Sequence, residues 1–67
     1  MNMSQESYIK EITRQIDNCQ AEITVLGDDY KQCSDDICKS QIRTLLEKKE
    51  YTLINLIDRK EKIEKEM

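Results

Sequence analysis

The chain has no proline and one glycine, so it lacks the punctuation that a fold of many short strands needs. It has no histidine, which removes the usual general acid–base of catalysis and a common zinc ligand. It has no glycine-rich phosphate loop. No apolar run approaches the roughly 20 residues that a helical membrane span needs. The opening MNMSQESYIK lacks the apolar core of a secretory signal. Phenylalanine and tryptophan are also missing. These gaps point to a soluble, cytoplasmic, non-enzymatic chain, unless another machine exports it. The initiating Met1 suggests a free-standing one.

What is present is mostly isoleucine, leucine and charge. Charged residues reach 37% with both signs interspersed, the composition of a helical surface rather than of an acidic tail. Residues 4–26 carry two basic and four acidic side chains, 27–36 one and four, and 37–67 eight and six. No segment is a basic tract, so a nucleic-acid footprint is not expected. With 67 residues the chain is one domain, small enough to need a staple or a second copy for stability.

Ile9, Ile12, Ile16, Cys19, Ile23 and Leu26 alternate spacings of three and four, an unbroken heptad seam. Ser4 reads as its N-cap, and Gly27 as the residue that closes the helix in the left-handed region. Helix 1 is therefore expected over about 4–26 and a connection over about 27–34. A second stripe holds Cys38, Ile42, Leu45, Leu46, Leu53, Leu56, Ile57 and Ile63, interrupted by Lys49 and Lys60, whose aliphatic stems can lie on apolar surface. Ser34, followed by Asp35 and Asp36, reads as the N-cap of helix 2, expected over about 35–66. Tyr30 and Cys33 continue the first heptad count. Helix 1 can thus also run through Gly27 with a bend, leaving a tighter connection near Ser34.

The fold class is all-α, an antiparallel two-helix hairpin resembling a coiled coil. Its expected core is Ile9, Ile12, Ile16, Cys19, Ile23 and Leu26 against Cys38, Ile42, Leu45, Leu46 and Leu53. A turn near residue 31 sets Cys19 near Ile42, Ile23 near Cys38, Ile16 near Leu45 and Ile9 near Leu53. Helix 2 then overhangs by about nine residues, roughly 13 Å at about 1.5 Å per residue. Leu56, Ile57 and Ile63 are left uncovered. With Tyr51, Ile54 and Val25 off the main stripe, they make a second apolar surface, and such surface signals a partner.

Residues 27–40, GDDYKQCSDDICKS, are where site chemistry would have to sit. A calcium loop from Asp28 fails, because its sixth residue is Cys33 and its twelfth Lys39 instead of glycine and glutamate. The three cysteines lack the paired spacing of a structural zinc site. No metal or cofactor is expected. An odd cysteine count without a secretion signal makes free thiols the default. Cys19 and Cys38 fit seam positions as small hydrophobes. Cys33 and Cys38 are the candidate redox pair, able to bridge if the first precedes helix 2 and the second lies in its first turn.

DICKS, residues 36–40, resembles a segment near the turn of the plasmid copy-number protein Rop. That resemblance implies a homodimeric four-helix bundle binding RNA. The chain departs from that family where helix 1 offers Lys10, Arg14 and Asn18 with no phenylalanine. The cysteine-bearing first helix, Gly27 at the turn and the run Ser40 to Arg43 are similar to the YscE/SsaE-type co-chaperones of type III secretion needles. This second resemblance implies a chaperone-like hairpin bound to another protein. Three jobs follow. The first is an adaptor, inhibitor or chaperone-like subunit docking a protein through Tyr51, Ile54, Leu56, Ile57 and Ile63. The second is a homodimer reading nucleic acid through Lys39, Arg43, Lys48, Arg59 and Lys62, against which the interspersed acids argue. The third is a redox regulator using Cys33 and Cys38.

Overall fold

The computed structural model describes residues 3–66, with side chains from Gln5 onward. Two helices, α1 (Met3–Gln32) and α2 (Asp36–Glu66), make an all-α hairpin 54 Å long and 14 by 11 Å across. No described helix is long and apolar enough to cross a membrane.

The expected break at Gly27 is not there. Gly27 has no positive φ, and α1 continues through it for five more residues. The heptad explains why. Tyr30 is half-buried on the seam side, and its hydroxyl accepts a hydrogen bond from Arg43 Nη2 at 2.9 Å. The Arg43 guanidinium also lies over the Tyr30 ring, 5.9 Å from its centre. A residue that contacts the facing helix rewards continuation, and this outweighs the roughly 1 kcal/mol that glycine costs inside a helix. The helix then tightens as it ends, the Cys33 amide donating to both Asp29 O (3.1 Å) and Tyr30 O (3.2 Å).

The connection shrinks to Cys33, Ser34 and Asp35. Asp35, not Ser34, caps α2: its Oδ1 accepts the Cys38 amide at 2.6 Å. Asp36 adds a first-turn carboxylate where the helix dipole favours it. At the other end, α1 starts at Met3 and so includes Ser4. The Ser4 side chain, expected to cap, lies outside those described.

Moving the turn by about three residues shifts the pairing by seven. Cys19 Sγ meets Lys49 O at 3.2 Å, instead of the neighbourhood of Ile42. Helices of 30 and 31 residues now lie alongside each other, and the expected overhang of helix 2 disappears. The core consists of Ile12, Ile16 and Leu56, with Leu53 and Ile63 packed against it, and Cys19 buried beside them. Ile9, Ile23, Leu26, Ile42 and Leu46 are half-buried along the seam, as is Cys38 in the first turn of α2.

The cap assignment is directly testable. Asp35→Ala should lower the unfolding free energy by about 1 kcal/mol, whereas Ser34→Ala should leave it nearly unchanged. Paired thermal melts with the Cys33–Cys38 bond intact would read the difference. Equal losses would return the cap to Ser34.

Candidate functional site

The apolar side chains that the hairpin does not consume lie on two sides. On α2, Tyr51, Ile54 and Ile57 follow one another at intervals of three, an oblique line over the surface. Tyr51 is 69%, Ile54 64% and Ile57 38% exposed. Tyr51 also borders a shallow hollow with Thr44, Glu47, Lys48 and Thr52. Two residues expected on this surface are not on it. Leu56 is 9% exposed and belongs to the core, and Ile63 packs against that core. Their expected exposure rests on an overhanging helix 2, which the shifted pairing removes.

The other side carries an open groove of about 430 Å³, lined by Ala21, Glu22, Val25, Leu26, Leu45 and Lys49. Leu45, expected in the core, is 46% exposed and forms one wall. It precedes Leu46 by one residue, which turns it about 100° away from the seam. Val25 lies here rather than with Tyr51 and Ile54, so the second apolar surface is really two. A smaller hollow of about 290 Å³ holds Gln15, Asn18, Cys19, Thr52 and Leu56 and shares Glu22 and Lys49 with the groove.

Lys49 sits where the two hollows meet. Its ammonium reaches across to Glu22 at 2.5 Å, and its backbone carbonyl accepts the Cys19 thiol. A carbonyl within a helix has a spare lone pair, so this bond costs the ladder nothing. Hydrogen bonding to Glu22, then the attraction of that carboxylate, hold the Lys49 ammonium above the ordinary lysine value. Two further ion pairs each lie within one helix. Arg14 forms a two-point contact with Glu11, which holds the Glu11 carboxyl below its ordinary value. Asp58 pairs with Lys62 at 3.2 Å.

At the turn, Cys33 and Cys38 form a disulfide with their Cα atoms 5.7 Å apart. The default of free thiols therefore fails for these two and holds for Cys19, which is free and buried. Cys33 directly follows α1, and Cys38 lies in the first turn of α2, the arrangement that makes the bridge possible. Among the described residues, no three His, Cys, Asp or Glu side chains gather as metal ligands. Sequence reasoning missed the Tyr30–Arg43 contact and the exposed Ile37 beside the turn. Continuation of the heptad at Tyr30 was the signal for the first. Nothing in the spacing marks the second.

The chain matches no protein-family model, no curated protein and no solved structure.

The raised Lys49 value carries a sign. A lysine whose folded pKa exceeds its unfolded one contributes stability that is fully present below the unfolded value and lost as pH rises through the folded one. Glu22→Gln should therefore cause a small loss of stability at neutral pH, one that fades above about pH 10.4, the ordinary lysine value. Urea unfolding of both proteins across that range measures it. A loss that persists at high pH would mean Glu22 acts by packing instead.

Proposed function

We propose that this hairpin is a non-enzymatic protein–protein interaction module, an adaptor, inhibitor or chaperone-like subunit that docks through the outer face of α2. The observation that carries the reading is the exposure of Tyr51 and Ile54, two large apolar side chains with no part in the hairpin core. A core built on Ile12, Ile16, Cys19 and Leu56 gains nothing from them. Contiguous exposed apolar side chains on so small a protein are the mark of an interface. An aromatic ring beside a branched aliphatic is the composition of a contact centre.

Ile57 extends the face toward the seam, and Glu47, Lys48, Asn55 and Asp58 border it with mixed charge. That border suits a protein surface better than a polyphosphate. Pairing of Lys62 with Asp58 further reduces the positive potential that α2 could offer to nucleic acid. The partner is another protein or a second copy of this chain.

Two measurements decide the matter. Light scattering over a concentration series separates a chain of 8.0 kDa from a self-associated one. Capture from the source lysate with wild type and with Ile54→Asp then follows. The variant is expected to keep its helical circular dichroism, since Ile54 is exposed, and to lose whichever association the wild type shows. Loss of helicity in Ile54→Asp would make the residue structural. Retained association would remove this face from the interface.

A further inference from the structure

The buried residues of the hairpin lie at positions 12 to 19 of α1 and at Leu56 of α2, away from the turn. The last turns of α1 hold on by other means. Gly27 interrupts them with open space: a Cβ built there would have no neighbour within 4 Å, so no packing opposes or supports that point of the helix. Asp28 and Asp29 follow, both exposed and both near the carbonyl end of the helix, where the dipole disfavours negative charge. Lys31 and Gln32 are exposed as well. What ties this end to α2 is the Tyr30–Arg43 contact and the Cys33–Cys38 bond.

We propose that the Cys33–Cys38 disulfide is a redox latch on the end of α1. Closed, it pins Cys33 against the first turn of α2 and keeps residues 28–32 helical. Opened, it leaves the Tyr30–Arg43 contact as the one tie on this end, so α1 opens back to Gly27 more often, and in that open state the three-residue connection lengthens to about the stretch 27–35. The chemistry is thiol–disulfide exchange with a small thiol. One thiolate attacks a sulfur of the bridge and forms a mixed disulfide, releasing the other cysteine as a thiolate. A second small thiol then attacks the small-thiol sulfur of that mixed disulfide and releases the remaining cysteine as a thiolate. Two equivalents of small thiol become one small disulfide, and Cys33 and Cys38 each end as thiols, with both electrons supplied by the reductant. Cys19 takes no part, being buried and bonded to the Lys49 carbonyl. The residues released directly follow Val25 and Leu26, which line the apolar groove, so the latch controls the chain next to that groove. The inference is independent of the docking face on α2.

Amide hydrogen exchange on the full chain, with and without excess reduced glutathione, tests it. Reduction should expose two new thiols per chain. It should speed exchange at Lys31, Gln32 and Cys33 by roughly tenfold or more, and leave Cys19 and Leu53 unchanged. The Cys33→Ser, Cys38→Ser double variant should behave like the reduced protein. Gly27→Ala, placed in open space, should slow the released exchange by about fivefold, the gain in helix propensity. Unchanged protection at 31–33 on reduction, or loss spread evenly over both helices, would overturn the latch. So would three free thiols in protein prepared without reductant.

Discussion

The connection between α1 and α2 is three residues long, and its position decides which side chains meet. A seam that repeats every seven residues can slide by seven and still bury the same faces. The hydrophobic pattern therefore allows two pairings of this hairpin. One has a turn centred near 31 and Cys19 beside Ile42. The other has a turn after residue 32 and Cys19 beside Lys49. Burial of the seam does not choose between them, since isoleucine and leucine occupy it in both. The choice is made at positions that break the apolar pattern.

Lys49 is the clearest of these. A cation on the stripe favours the pairing that gives it a partner, much as a single polar seam residue sets register in longer coiled coils. In the shorter-helix pairing it would face the region of Ile12, the most buried residue of the core. In the structure it has Glu22 for its ammonium and the Cys19 thiol for its carbonyl. Tyr30 and Arg43 make the second such choice, closer to the turn. A half-exposed ion pair contributes little stability. It still discriminates, because the alternative desolvates a charge against aliphatic side chains. The Cys33–Cys38 bond fixes the start of α2, since it closes with Cys33 ahead of that helix and Cys38 in its first turn.

The hairpin itself was legible in the spacing of Ile9 through Leu26 and in the stripe from Ile42 to Ile63. Its pairing is harder to read, because Gly27 signals a stop while Tyr30 and Cys33 carry the heptad past it. Glycine just past a helical run is a common terminator, but the signal is local, and here a cross-helix contact three residues further on outweighs it. The error spread in a physically consistent way. An early turn implies an overhang, an overhang leaves Leu56 and Ile63 uncovered, and uncovered residues look like an interface. Tyr51 and Ile54 escaped because their exposure follows from their angle on α2, which does not depend on register. Leu45 was harder to place. Paired with Leu46, it reads as part of a wide stripe, and only the facing surface of α1 decides which of the two turns inward.

The two apolar surfaces put a limit on how the hairpin can be covered. Leu45 and Ile54 are nine residues apart, about two and a half helical turns, so they point to opposite sides of α2. Val25 lies with Leu45 on the groove side, and Tyr51 lies toward Ile54. A single helix laid in the groove would cover Val25 and Leu45 and leave Tyr51 and Ile54 in water. A partner on the outer face of α2 would do the reverse. Covering both requires either two contacts or a partner that wraps around α2. The groove lies beside the end of α1 that the disulfide holds, whereas the outer face of α2 rests on the core around Leu56. The two sides therefore differ in how firmly they are built: the outer face of α2 stands on the buried core, whereas the groove borders the turn.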